Sequence, residues 1–458
     1  MSSEVAVEMQ GGRWKRYPAY KDSGVEWLGE VPEGWGILAL RRVVSRFVDY
    51  RGKTPEKVDS GVPLITAKNI KGGHIDLSSS EEFIREHEYQ DWMTRGLPEN
   101  GDVLITTEAP LGEVAQVEST YIALAQRIIL LKVNKSRITN SYLKYHFLSK
   151  SGQGELWTQS SGSTALGIKA DRFKGTLISV PSLPEQRAIA SFLNRETGCI
   201  DTLIEKKGRQ IELLQEKRAA LISHAVTKGL DPGVKMKDSG VEWIGEVPEG
   251  WKVRKLKHIA SVKFSSVDKK TEEGQQPVCL CNYVDVYYND YITSYLDLMK
   301  ATASVAEIQN FTLRGGDILI TKDSESWDDI AVPAYVSSDI NNVLCGYHLA
   351  QIRPNISLSD GEYLFRSFYA RGINDQFRVA ATGVTRYGLG KYWLDNSLFL
   401  VPPLPEQHAI ATFLDRETGR IDTLTTKIRE SISKLREYRT ALISAAVTGK
   451  IDVRNKET

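Results

Sequence analysis

The residues that could do chemistry are few and poorly matched to it. Gly388-Leu389-Gly390-Lys391 has the small residues and the cation of a phosphate-cradling loop. However, Thr385 stands where its first glycine belongs, and Tyr392 follows the lysine in place of Ser or Thr. Cys279-x-Cys281 is the closest cysteine pair, and the other two cysteines are Cys199 and Cys345. With no second pair or histidine cluster nearby, the pattern predicts strand thiols in a reduced compartment, not metal ligands. The seven histidines are scattered. No Gly-rich cofactor loop, no Asn-Pro-Pro or Asp-Pro-Pro before an aromatic residue (the adenine-methylation signature) and no His-Glu-x-x-His occurs. The expectation is a chain that is not an enzyme by itself and that binds no cofactor or metal.

The elements that would position any site are far more distinct. Residues 184–229 place Ile189, Phe192, Leu193, Ile200, Leu203, Ile204, Ile211, Leu214, Leu221, Ile222 and Ala225 at helical spacing among Lys, Arg, Glu and Gln. Residues 405–449 repeat the stripe with Ile421, Leu424, Ile428, Ile432, Leu435, Leu442, Ile443 and Ala446. A narrow stripe on a charged helix needs a partner helix, which predicts two long helices packed as an antiparallel coiled coil. Over 183–203 and 404–424 the sequences differ only at Arg187/His408, Ser191/Thr412, Asn194/Asp415 and Cys199/Arg420. Lys21–Trp35, KDSGVEWLGEVPEGW, returns as Lys237–Trp251 with only Leu28 changed to Ile244. The chain is an internal duplication, in repeats of about 17–232 and 233–458.

At 458 residues the chain is too long for one core. Lys plus Arg total 59 against 58 Asp plus Glu, so net charge of +1 offers no argument for a nucleic-acid partner, although local basic surfaces remain open to it. The N-terminus has no apolar signal core and no run of about 18 apolar residues exists, which predicts a cytoplasmic protein with no membrane contact. The expected organisation is a disordered leader (1–16), two globules (17–184 and 233–405) and two helical segments (185–232 and 406–458).

Between the constant boxes the bodies diverge. Short β-branched runs at 62–66, 102–107, 123–133, 276–281, 317–321 and 398–401 predict strands, and 141–149 and 361–370 predict short helices. The fold class is α+β: two mixed α/β globules on two long helices, with an internal pseudo-twofold repeat. The surviving echoes are Gly101-Asp102-Val103-Leu104-Ile105-Thr106 against Gly316-Asp317-Ile318-Leu319-Ile320-Thr321, and Gly162-x-Thr164 against Gly383-x-Thr385. A fixed frame carrying two different heads is implied.

The start boxes Ser23–Trp35 and Ser239–Trp251, the Gly-Asp-(Val/Ile)-Leu-Ile-Thr runs, the Pro-x-Leu-Pro-Glu-Gln stretches at 181–186 and 402–407 and the Ala-Leu-Ile-Ser-x-Ala-Val-Thr ends at 220–227 and 441–448 occur twice in one order. In this the chain closely resembles the specificity subunits of type I restriction–modification enzymes. The resemblance covers almost everything after residue 17. It implies two target recognition domains, each reading half of a bipartite double-stranded DNA site, with the helices as spacer. It further implies two methyltransferase (M) subunits that bind S-adenosylmethionine and two restriction (R) subunits that use ATP and Mg. Catalysis would then belong to the partners, the M subunit flipping an adenine out of the duplex to methylate it. The rival reading is a duplicated adaptor whose bodies bind protein, which sequence-specific binding to bipartite DNA would exclude.

Base readout needs paired donors and acceptors on loops, with Lys and Arg for phosphates. In the first body the candidates are Lys68, Asn69 and Lys71, then Thr106, Thr107 and Glu108, then Ser161, Ser163, Thr164 and Lys169. In the second they are Asn282 and Tyr283, then Lys322, Asp323, Ser324 and Trp327, then Thr385, Arg386 and Tyr387. For any one of these, solvated turn chemistry is the competing explanation. The start-box residues Trp27, Trp35, Trp243, Trp251, Glu26 and Glu242 read as a turn anchored by aromatics. Lys206, Lys207, Arg209, Lys217 and Arg218 could track phosphates between the half-sites, but interspersed Glu205, Glu212 and Glu216 favour a solvated coiled-coil face.

Residues 198–227 as helix span about 45 Å at ~1.5 Å per residue, enough for modules one DNA turn apart, ~34–36 Å. Inserting one heptad after Gln210 and one at the equivalent place after Glu430 or Ser431 adds ~10 Å. It is expected to lengthen the gap between half-sites by roughly 3 bp, read out by methylation sequencing. Unchanged spacing would end the spacer interpretation.

Overall fold

The computed structural model describes residues 14–52, 54–161 and 167–454. The chain divides into two compact units, one of residues up to 207 together with those from 429 onward, the other of 208–428. Neither unit is a sequence repeat. Two long helices, α1 (Leu183–Lys228) and α2 (Leu404–Val447), contribute to both, so each unit holds the first part of one and the last part of the other.

Both helices start and stop by the same devices. Gln186, fully buried, accepts from the Thr139 N–H (2.8 Å) and donates to the carbonyls of Arg137 and Pro181 (both 2.9 Å). Gln407 does the same with the Asp360 N–H (2.8 Å) and the carbonyls of Leu358 (3.0 Å) and Pro402 (2.8 Å). The Pro-Glu-Gln signature is therefore a clamp between helix and body as well as a helix start. At the other ends Gly229 (φ +79°) and Gly449 (φ +73°) take the left-handed conformation that closes a helix. A Cβ on Gly449 would run into Pro32.

In the first unit the start of α1 packs against the end of α2, through Ile189, Phe192, Leu193 and Ile200 on one and Leu442, Ile443 and Ala446 on the other. Arg439 clips the pair by donating from Nε to Asp201 (2.9 Å). Trp35 of the start box is buried against this seam and donates to Glu185 (3.1 Å). Burying roughly 200 Å² of indole contributes on the order of 5 kcal/mol of transfer free energy. Tyr142 donates to the carbonyls of Ser179 (2.9 Å) and Val447 (3.2 Å), capturing the last turn of α2. Trp14 stands edge-on to Phe192, and Lys15 pairs with Asp452. The expected leader thus has its last residues, 14–16, in ordered contact. Residues 1–13 lie outside the described residues.

The second unit repeats the arrangement. Ile222, Ala225 and Val226 of α1 share a core with Ile410, Ala411 and Leu414 of α2 and with Trp251. Arg218 pairs with Asp422 (3.3 Å), and Tyr363 donates to the carbonyls of Leu400 (3.0 Å) and Val226 (3.3 Å). Trp35 and Trp251 are the anchors read from the sequence, whereas Trp27 is half-buried and Trp243 exposed. Leu203 and Leu424, expected on the buried stripe, are 43% and 47% exposed.

Each body is built on an antiparallel sheet. In the first unit β1 (Val44–Asp49), β2 (Val103–Thr107), β3 (Leu111–Gln116) and β4 (Ile128–Val133) run in the order β3-β2-β4-β1. In the second, β5 (Ala260–Phe264), β6 (Tyr291–Ile292), β7 (Ile318–Thr321), β8 (Pro333–Val336) and β9 (Leu349–Pro354) run β8-β7-β9-β5, with β6 added parallel beside β8. The diverged bodies therefore share one topology. The run 123–133, expected as one strand, is broken into Ala123–Leu124 and β4 by Gln126 and Arg127, the latter at φ +78°. Cys281 and Cys345 end a parallel strand pair as buried thiols, Cys279 is half-buried in the same strand as Cys281, and Cys199 is exposed on α1.

His146 is fully buried in the helix Asn140–Leu148, and burial pushes its pKa down from 6.5 to about 4, against a smaller opposing pull from the Leu177 backbone. The folded state keeps it neutral while the unfolded chain takes up a proton below pH 6.5. Stability is therefore complete above that pH and falls as pH drops toward 4, by about 3 kcal/mol. His146→Gln is expected to flatten this part of the profile, measured as the difference in Tm between wild type and variant from pH 7 to pH 4.

Candidate nucleic-acid interface

In each unit three separate segments are sewn together where a central strand leaves the sheet. In the first unit the Thr107 N–H donates to the Arg127 carbonyl (2.8 Å) and the Ile168 N–H to the Thr107 carbonyl (3.1 Å). Glu108 bridges to Gly167 across the backbone, and its carboxylate meets Arg127 Nε at 3.3 Å. Ser161 and Gly167 exchange backbone bonds, and Arg51 Nη1 donates to the Ile168 carbonyl (3.3 Å).

The second unit draws the same diagram with other side chains. The Lys322 N–H donates to the His348 carbonyl (3.1 Å) and the Leu389 N–H to the Lys322 carbonyl (2.8 Å). Asp323 pairs with Gly388 in the backbone, and its carboxylate meets His348 Nδ1 at 2.9 Å. Around it Ser324 registers with Tyr387, Tyr283 lies beside Ser324, and the Lys322 ammonium lies 4.6 Å from the Tyr347 ring centre. Lysine and aromatic faces beside a paired carboxylate can bind phosphate, stack a base and present a hydrogen-bonding edge together.

The structure brings together many of the residues singled out by sequence. Glu108, Ser161 and Lys169 share the first platform with Thr107. Tyr283, Lys322, Asp323, Ser324 and Tyr387 share the second, with exposed Thr385 and Arg386 at the tip of its 382–388 hairpin and Trp327 exposed in the loop after Ser324. Ser163 and Thr164 lie outside the described residues. Lys68 and Lys71 are exposed but stand apart. The hairpin carrying Lys71 docks on Val114 and Ala115, and Arg439 donates to the Gly72 carbonyl (3.2 Å).

Several candidates are corrected by their burial. Asn69 is fully buried: its Oδ1 accepts from the Thr66 N–H and hydroxyl, and its Nδ2 donates to the carbonyls of Asp76 and Ser80, all at 2.9 Å. Thr106 and Thr107 are buried in β2, where Thr106 accepts from the Glu113 N–H (2.9 Å) and Thr107 donates to the Arg127 carbonyl (3.3 Å). Asn282 and Ser324 are buried as well, the first capping the helix Tyr283–Tyr288 and the second accepting from the Ser326 N–H (3.2 Å). A polar side chain whose capacity is spent on the turn that carries it has none left for a ligand.

The profile of the type I restriction modification DNA specificity domain matches residues 51–213 and 248–434, both bodies and most of both helices. The chain belongs to this family. Among its relatives, the putative type I restriction enzyme MjaX specificity subunit of Methanocaldococcus jannaschii is 24% identical over 443 residues, spanning 93% of this chain and 96% of that one. The EcoKI specificity subunit of Escherichia coli K12 is 20% identical over 442 residues, 92% and 90% of the two chains. A chain solved in work on complex assembly and conformational transition of the type I R-M system has 16% identity and a TM-score of 0.66, covering 91% of this chain and 98% of that one. The HsdS subunit of Thermoanaerobacter tengcongensis has 18% identity and a TM-score of 0.50, covering 92% and 98%. These likenesses in structure agree with the fold class read from the sequence.

The chain is thus a type I DNA specificity subunit, and its two units carry equivalent platforms with different side chains. Arg127, His348 and Tyr347 also stand on these platforms, and no pattern within their own segments marks them. Only the register between β2 and β4, and between β7 and β9, brings them beside Glu108 and Asp323. Among the described residues no cluster of His, Cys, Asp and Glu could hold a metal ion, and no helix is long and apolar enough to cross a membrane. Asn69→Ala is expected to cost about 1–3 kcal/mol of stability in the first unit, by stranding buried donors and carbonyls. It should leave the base preference of the surviving folded protein unchanged, as checked by thermal melts alongside binding to a panel of duplexes.

Proposed function

We propose that each unit reads one half of a bipartite double-stranded DNA site through its platform, and that α1 and α2 set the spacing and carry the partner subunits. The observation that carries this reading is the duplicated platform: equivalent backbone bonds in both units, with Glu108 and Arg127 exchanged for Asp323 and His348. A device kept in place while its side chains change is suited to presenting different hydrogen-bonding patterns to two different sequences. Chemistry belongs to the partners. Two M subunits bring S-adenosylmethionine and two R subunits bring ATP and Mg, in a cytoplasmic complex.

The helices support the scaffolding role. Gly198 and Gly419 lie inside α1 and α2 with open space where a Cβ would stand, so the fold does not require them, although a helix-interior glycine costs about 1 kcal/mol relative to alanine. One turn on, Thr202 and Thr423 donate back to the two glycine carbonyls (2.9 and 2.8 Å), and the residues after them, Leu203 and Leu424, are exposed. A notch and an exposed leucine on the same stretch of helix, present in both repeats, suit close approach of one helix from each of two identical partners. Gly198→Gln with Gly419→Gln is expected to weaken binding of the M subunit roughly tenfold or more while leaving Tm unchanged or higher, read by titration and melting. Undiminished M binding would move the docking surface elsewhere.

The decisive experiment is single-molecule methylation sequencing of genomic DNA from cells expressing this chain with its cognate M subunit. The expected result is adenine methylation at two short specific sequences flanking a fixed gap, lost when this chain is removed. An active M subunit with no such motif would overturn the proposal and favour an adaptor.

A further inference from the structure

The two platforms differ most at one place. Arg127 and His348 occupy equivalent positions, each at the start of the strand that pairs with the platform strand, each with its carbonyl taken by the N–H of Thr107 or Lys322. Each is gripped by the acidic residue that follows, Glu108 at 3.3 Å and Asp323 at 2.9 Å. The carboxylates hold only one side of each head group. Arg127 is half exposed, and about a quarter of the His348 side chain reaches solvent. Arg127 also holds a left-handed backbone, φ +78°, a conformation costing of order 1–3 kcal/mol for a side chain of this kind unless its surroundings enforce it. The enforcing bonds are those of the platform itself.

We propose that Arg127 and His348 are specificity-determining residues, one for each half-site, and that Glu108 and Asp323 are the positioning residues that aim them. This rests on the DNA-reading role of the platforms. Glu108 engages Arg127 at Nε, leaving the Nη donors as a planar fork that matches the O6 and N7 acceptors of guanine. As the Asp323 carboxylate can only accept, it takes the His348 Nδ1–H, and the tautomer with its proton there has Nε2, on the opposite side of the ring, as an acceptor. Such an acceptor matches an exocyclic amino group, N6 of adenine or N4 of cytosine. The first half-site therefore contains a guanine read by Arg127, and the second an adenine or cytosine read by His348.

The test uses the full chain assembled with its M subunit, and the variants Arg127→Lys, Arg127→Gln, His348→Arg and His348→Asn. Genomic methylation sequencing is combined with binding to duplexes altered one base pair at a time. Each variant is expected to change preference at a single position in a single half-site, by roughly 10- to 100-fold, with the gap and the other half-site unchanged. His348→Arg is expected to move that position toward guanine. Asp323→Asn should broaden the same position as the His348 variants do, an effect that simple loss of stability would not produce. Motifs identical to wild type in all variants would overturn the proposal. So would binding weakened equally on every duplex, which would mark these residues as structural. If wild type itself shows no bipartite motif, the DNA-reading role fails before this assignment is reached.

Discussion

The structure depends on the capture of each long helix's last turn. Val447 ends α2 with its carbonyl bonded to Tyr142 and to the Ser179 hydroxyl (2.8 Å), and Gly449 then turns against Pro32 and Trp35. Val226 is held in the same way by Tyr363, and Gly229 by Trp251. Helix carbonyls at a C-terminus have no partners of their own, so a buried helix end is stable only where other elements supply donors. The start boxes and body helices supply the seat and the donors, which explains why the start boxes stay nearly identical while the strands between them do not. The seat fixes the frame, and the frame leaves the bodies free to vary.

That freedom is channelled to one spot by backbone hydrogen bonds. Pairing of β2 with β4 and of β7 with β9 is indifferent to side chains that point away from the core, so the position of Arg127 and His348 survives replacement of one by the other. Such a base lets side chains change in place, whereas loops held by their own side chains would shift whenever those side chains did. Asn69 shows the opposite case: a polar residue committed to four hydrogen bonds, around which nothing can be exchanged cheaply.

Much of this was legible in the sequence. The long helices, their duplication, the start boxes and most strands follow from periodicity and from literal repetition, and the tryptophans Trp35 and Trp251 proved to be anchors. Leu203 and Leu424 were misplaced because helical spacing defines a stripe but not how much of it a partner within the fold covers. Asn69, Asn282 and Ser324 looked like contact residues because turn-capping and ligand-binding use the same functional groups, and only the fate of each donor and acceptor separates the two. Arg127 and His348 were invisible for a different reason: their placement beside Glu108 and Asp323 arises from pairing between strands far apart in the chain.

The seat at Val447 also sets an order of events. The first unit needs residues beyond 429, whereas the second is built wholly from 208–428. During synthesis from the N-terminus, the body that emerges first lacks the helix that closes its core until the last turns of α2 have left the ribosome. The second unit has all its parts earlier, so the half encoded later is the half that can finish folding sooner. The first body meanwhile holds Trp35, Ile189 and Phe192 without their final cover, which makes it the half most in need of protection from aggregation while the chain is being made.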